Sequence, residues 1–267
     1  MNNPWIFDEE QLLRTPSLRD GIDKAIEDRF RVEGCTFIQR LGLDELKLHN
    51  STVATGLVFF HRFYMFQSFK LFPVYPMAAT CLFLAGKVEE TPKKSYDIIK
   101  YSKSILSEQL FAQFGSDPKE EILTLERILL QTLRFDLEIE HPYEHLIKYV
   151  KTFRVRRLEA EGPEDLALLE KELLQSAWTL LNDSYHTTIC LQIEPEIIAI
   201  AMILFAIKTL KFEVTDWDDR KPSHRNWWDV FVENLDEIVI ENICHQLLDF
   251  YEKQKRELEM LQNVVAR

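Results

Sequence analysis

His141 and His145 stand one helical turn apart, a spacing at which two imidazoles can share a metal ion. A third ligand is needed, and none lies nearby in the chain; Pro142 beside His141 makes a helix start the simpler account. Glu89-Glu90 and Glu120-Glu121 have the residue type for acid–base work. Neighbours along a helix point to different faces, so neither pair forms a dyad. The four cysteines, Cys35, Cys81, Cys190 and Cys244, are far apart with no CxxC spacing. Each sits among apolar helical residues, which reads as buried free thiols in a reducing compartment. GxGxxG, P-loop, GxSxG and HExxH patterns are missing from the sequence. The expectation is a chain with no catalytic residues, no cofactor and no metal.

Lys87 and Glu126 are the informative charges. Glu126 falls between Leu130 and Leu133 on a helical wheel, at the edge of an apolar stripe, where a carboxylate needs a partner or an open groove. Lys87 closes a helix that is otherwise apolar on every side. A cation favours a helix C-terminus for dipole reasons alone, and Glu126 could simply be solvated. Alternatively the two pair across adjacent helices and present charge to a partner. The residues support both readings equally.

The helix that Lys87 ends is the one around which the chain is organised. Met77 to Ala85 is apolar all round, as in a helix enclosed by others. Pro76 occupies its first turn, where a missing N–H costs little, and Thr91-Pro92 stops it. Before it come a loose arm to Arg19 with a short helix near residues 8–14, and a helix over 23–41 with Ile26, Phe30, Cys35, Phe37, Ile38 and Leu41 at helical spacing. A helix over 52–66, capped by Asn50 or Ser51, follows. After it come helices over 96–106 and from Asp117-Pro118, a carboxylate cap with proline at N1 and Glu120 placed to bond back. The last has the stripe Ile122, Leu125, Leu129 and Leu133.

A second set follows, with helices over 142–153, 165–181, 195–210, 227–233 and from 236 onward. Residues 154–165 are charged, contain Gly162-Pro163, and read as a linker. Pro195 opens another almost wholly apolar helix, the counterpart of the Pro76 helix. In the tail Ile240, Cys244, Leu247, Tyr251, Gln254, Leu258, Leu261 and Val265 follow a heptad-like spacing. Packing on its own domain and contact with another chain are both open.

At 267 residues with 46% hydrophobic content and only seven glycines, the chain suits long helices around a large core. The net charge of −12 weighs against direct nucleic-acid binding, which requires clustered cations. The first ten residues are polar and acidic, unlike a signal peptide. The longest apolar run, 197–207, is well short of the roughly 18 residues that span a membrane. A soluble intracellular protein is expected.

Long strings then carry a resemblance. HRFYMFQSFKLFP (His61–Pro73), LFLAGKVEETPKK (Leu82–Lys94) and LERILLQTLRFDLEIEHPYEHL (Leu125–Leu146) resemble the first cyclin box of the transcriptional cyclins. NDSYHTTICLQIEPEIIAIA (Asn182–Ala201), Trp227-Trp228 and ICHQLLDFY (Ile243–Tyr251) resemble the second box. The likeness runs from about Trp5 to Tyr251 and is nearer to the K branch of that family than to its T or L branches.

The resemblance implies an all-α fold: two tandem five-helix cyclin boxes with an N-terminal arm and a long C-terminal helix. The division would be an arm over 1–22, a first box over 23–139, a second over 140–251 and a helical tail over 252–267. It also implies a non-catalytic, nuclear subunit that pairs with a transcriptional cyclin-dependent kinase acting on the RNA polymerase II C-terminal domain, with no membrane and no direct nucleic-acid partner. Lys87 and Glu126 would hydrogen-bond kinase backbone near the αC helix, and Val88, Glu90, Phe135 and Leu137 would line the same face. In the cell-cycle relatives an aspartate helps to pair an arginine of the first helix; here His61 replaces it, leaving Arg31 without that partner. Their substrate-docking Trp and Gln are replaced by Phe37 and Tyr75, so docking of Arg-x-Leu motifs is not expected. The alternatives are a T- or L-type subunit with a different kinase, and a cyclin-fold transcription factor that would need a basic face.

Overall fold

The computed structural model describes residues 3–158 and 165–265. Contacts divide the chain into two units, 1–140 and 141–267.

The first unit contains α1 (Glu9–Leu12), α2 (Pro16–Arg19), α3 (Lys24–Gln39), α4 (Asn50–Phe66), α5 (Val74–Val88), α6 (Ser95–Ile105), α7 (Glu108–Phe111) and α8 (Pro118–Thr132). A π-helical turn, Arg40–Glu45, extends α3. Helix α5 is the centre, packed against α3, α4, α6 and α8. Met77 through Gly86 are buried without interruption, as the absence of a polar face requires. Close approach elsewhere depends on Gly34 of α3. A Cβ there would stand 2.1 Å from Cζ of the buried Phe60 ring, so only a glycine lets α4 come so near.

Two expectations shift in this unit. Helix α4 starts at Asn50 with His49 as its N-cap, and no side chain caps it. On α3, Ile26 is exposed and Phe30 only half-buried. In the N-terminal half the buried positions are Glu27 and Arg31, one residue round the helix, because an ion pair occupies that part of the face. Farther along, Cys35, Phe37, Ile38 and Leu41 are buried as their spacing predicts. Asp117 does cap α8, accepting from the backbone N–H groups of Lys119 and Glu120, and Ile122, Leu125, Leu129 and Leu133 are all buried.

The arm is not loose. Asp8 and Gln11 form a reciprocal capping box, and Thr15 caps α2 rather than merely breaking the chain. Trp5 is buried, and the Ser17 hydroxyl accepts from the Phe69 N–H at 3.1 Å.

The second unit contains α9 (Pro142–Val150), β1 (Phe153–Arg157), α10 (Leu166–Ser184), α11 (Pro195–Leu210), β2 (Phe212–Trp217) and α12 (Glu237–Val265). Helix α11 has the bounds expected for it and packs against α9, α10 and α12. The expected helix over 227–233 is a single 3₁₀ turn, Trp227–Val230.

Part of the expected linker is a strand. β1 pairs antiparallel with β2, from Phe153 opposite Trp217 to Arg157 opposite Phe212. Phe153 and Val155 turn inward while Arg154 and Arg156 turn out, the period-two alternation of a half-buried strand. Three arginines hid that alternation: Arg156 faces out and pairs with Glu213 at 2.8 Å, and Arg157, at the strand's half-buried end, pairs with Glu172 at 2.6 Å. Residues 159–164 of the expected linker lie outside the described residues.

Helix α12 packs on its own unit through Ile240, Ile243 and Leu247, all fully buried, and through Tyr251, whose hydroxyl donates to Asp183 at 2.7 Å. Beyond that point Leu258 and Met260 are exposed. The side chains of Leu261 and Val265 lie outside the described residues. Among the described residues no helix is long and apolar enough to cross a membrane.

Candidate protein-binding face

Lys87 and Glu126 meet. Nζ of Lys87, at the last turn of α5, lies 2.6 Å from Oε1 of Glu126, in the middle of α8. The pair is asymmetric: the Glu126 side chain is 11% exposed and that of Lys87 is 43% exposed. The lysine also lies 4.2 Å from the centre of the Phe83 ring, close enough for a cation–π contact. One carboxylate is thus lodged at the edge of the core, and its counter-ion keeps most of its hydrogen-bonding capacity for a third group.

The rest of the proposed face lies at the ends of the same two helices. Val88 closes α5 and is half-buried. Glu89 accepts a hydrogen bond from the Thr55 hydroxyl at 2.7 Å, which fixes the chain as it leaves the helix. Glu90 is exposed, with φ at +53°. Helix α8 stops at Thr132 and turns through Arg134 and Phe135, at φ +55° and +58°. Neither is glycine, and each left-handed residue costs roughly 1 kcal/mol. The turn closes with hydrogen bonds from Phe135 N–H to the Leu130 carbonyl at 3.0 Å and from Asp136 N–H to Leu133 at 3.0 Å. Its effect is to aim Phe135 outward, 68% exposed, while Leu137 is half-buried.

Other residues singled out from the sequence have structural partners. Nδ1 of His141 is 3.3 Å from the Tyr185 hydroxyl, and Nδ1 of His145 is 3.2 Å from that of Tyr149. Cys35 and Cys81 are fully buried, with burial the main cause pushing the Cys81 thiol up, whereas Cys190 and Cys244 are half-buried. Phe37 and Tyr75 pack edge to face at 5.4 Å. Arg31 lacks an aspartate from α4 but is paired with Glu27, one turn back on its own helix, at 2.7 Å.

In a helical unit wound around a buried α5, a charged pair thus links the last turn of α5 to the middle of α8, and an outward aromatic follows the end of α8. Residues 5–138 match the family model "Cyclin, N-terminal domain", and the chain belongs to the cyclin family.

It is 51% identical to human Cyclin-K over 254 residues, covering 95% of this chain and 42% of that protein. It is 49% identical to zebrafish Cyclin-K over 252 residues, covering 94% of this chain and 56% of that one. The chain therefore spans about half the length of the curated relatives it matches. Among solved structures, a chain of the yeast RNA Pol II CTD kinase CTDK-1 complex has the same fold. The TM-score is 0.67 at 21% identity, with 92% of this chain and 72% of that chain covered.

Proposed function

We propose that this chain is the regulatory subunit of a transcriptional cyclin-dependent kinase, forming a heterodimer that phosphorylates the C-terminal domain of RNA polymerase II in the nucleus. The Lys87–Glu126 pair, together with Phe135 turned outward past the end of α8, carries the reading. Lys87 and Glu126 bind kinase backbone next to the αC helix; Val88, Glu90, Phe135 and Leu137 form the surrounding surface. The chain performs no chemistry itself. Kinase activity needs an ion pair between a strand lysine and a glutamate of αC, and the position of αC controls that pair. A subunit that binds the active arrangement more tightly than the inactive one shifts the population toward it. The similarity to Cyclin-K and the fold shared with a chain of a Pol II CTD kinase complex support this assignment.

The test is a pull-down of purified transcriptional kinases with this chain, then an activity assay on a polymerase repeat peptide. The expected result is a stable heterodimer and strong activation. A well-folded chain that binds no kinase in the panel would overturn the proposal.

A further inference from the structure

The turn that carries Phe135 is held at one end by the N-terminal arm and at the other by Phe66, the last residue of α4, on which the arm packs. On one side, the Trp5 indole N–H donates to Oδ2 of Asp136 at 2.7 Å, across 131 positions of sequence. On the other, the Arg134 guanidinium lies 5.7 Å from the centre of the Phe66 ring. Phe66 is itself held by the arm: Trp5 meets it edge-on at 5.8 Å and Phe7 at 6.1 Å. The Arg62 guanidinium covers the Trp5 ring at 4.5 Å, so Trp5 is 5% exposed and packed on more than one side. Arg134 and Asp136 flank Phe135, and both touch this cluster; Phe135 projects between them.

The arm is itself anchored. The Thr15 hydroxyl donates to Glu27 at 2.6 Å, and Lys70 Nζ donates to the Asp20 carbonyl at 3.2 Å. A left-handed pair of non-glycine residues persists only where the surroundings over-determine it, and Trp5 adds a side-chain hydrogen bond to the two backbone ones that close the turn.

We infer that Trp5 is a positioning residue: through Asp136 and Phe66 it holds the strained turn that presents Phe135 to the protein partner. The partner half of this inference rests on the kinase-binding reading above; the positioning half does not. The arm is thus a working part of the binding face, although Trp5 need not touch the partner.

The test uses Trp5→Phe, which keeps a ring but removes the N–H, with Asp136→Ala and Asp136→Asn; the asparagine still offers an accepting oxygen. Amide hydrogen exchange is read at Phe135 and Asp136, and affinity is read against a purified transcriptional kinase domain. Trp5→Phe and Asp136→Ala should speed exchange at both amides about fivefold, the scale of one lost hydrogen bond. They should weaken kinase binding by about the same factor, while Asp136→Asn restores both. In a Phe135→Ala background the binding loss from Trp5→Phe should vanish, a coupling that mere support of the fold would not produce. Unchanged exchange in Trp5→Phe would overturn the inference. Faster exchange with unchanged affinity would overturn it too, because the turn would then not serve the partner. Faster exchange in a chain whose wild type binds no kinase would sink the kinase reading and leave the positioning role standing.

Discussion

Glu27 and Arg31 form an ion pair inside the first unit, Oε1 to Nη2 at 2.7 Å, with their side chains only 1% and 2% exposed. The remaining capacity of both groups is used. Arg31 donates from Nη1 to the His61 carbonyl at 3.3 Å and from Nη2 to that of Tyr64 at 3.2 Å; Glu27 accepts from the Thr15 hydroxyl. Nη1 also faces Nδ1 of His61 at 3.4 Å. A guanidinium can only donate, so Nδ1 is the acceptor and the imidazole proton sits on Nε2, which faces Cys35 Sγ at 3.3 Å. One polar chain therefore ties the arm, α3 and α4 together.

Removing one partner leaves a buried charge uncompensated. Arg31→Met or Glu27→Leu should each lower stability by about 3–5 kcal/mol, and the double variant should recover much of that loss. Urea unfolding followed by circular dichroism measures it. Losses that simply add in the double variant would show that the two groups act independently.

This pair also shows where the sequence was opaque. Helix α11 and the Asp117 cap of α8 were legible because proline, an N-cap carboxylate and an unbroken apolar run are local signals. Glu27 and Arg31 look like solvent-facing residues in any periodicity count, so the spacing puts Ile26 and Phe30 on the buried face in their place, while Cys35, Phe37 and Ile38 farther along are buried as it predicts. From sequence alone Trp5 belongs to a loose arm, because its acceptor, Asp136, is 131 residues distant. Lys87 and Glu126 stood out from their positions on apolar stripes, yet the same positions suited solvated charges, and only their 2.6 Å separation brings them together. The left-handed turn at Arg134 and Phe135 has no glycine or asparagine to announce it.

Exchanging the charges of Lys87 and Glu126 separates their two roles. With the lysine 43% exposed, the pair should contribute only about 0–1 kcal/mol to folding. Lys87→Glu or Glu126→Lys alone should leave the helix content intact and reduce kinase affinity by roughly tenfold or more. The double exchange restores the internal attraction but shows the kinase the opposite polarity. It should regain stability and not binding, as read by calorimetric titration. Full recovery of affinity would mean that the pair is only structural.

Phe135 should show strain kept for binding. Relief of the left-handed conformation in Phe135→Gly and the extra freedom of glycine in the unfolded chain are each on the order of 1 kcal/mol and oppose one another. Thermal stability should therefore stay close to that of the wild type, since the lost side chain is 68% exposed. Kinase affinity should fall by at least about tenfold, the cost of losing an aromatic anchor. A variant with wild-type affinity would remove Phe135 from the binding face.

The second unit should lose stability in mild acid through His186. Its ring stacks on Phe250 of α12 at 5.4 Å, and Nδ1 lies 3.3 Å from the Asp183 carbonyl. Burial is the dominant influence and lowers its pKa from the ordinary 6.5; the Asp183 carbonyl and carboxylate pull the other way without cancelling it. Folding therefore favours the neutral ring, and the unfolded chain takes up the proton first. The contribution is fully present above about pH 6.5 and is lost as pH falls from there through the lower folded value, with a slope of at most about 1.4 kcal/mol per pH unit. His186→Phe keeps an aromatic ring against Phe250 and removes the titration. Urea midpoints measured at pH 7.5 and 5.5 should differ less in this variant than in the wild type. Equal differences would assign the acid sensitivity to other groups.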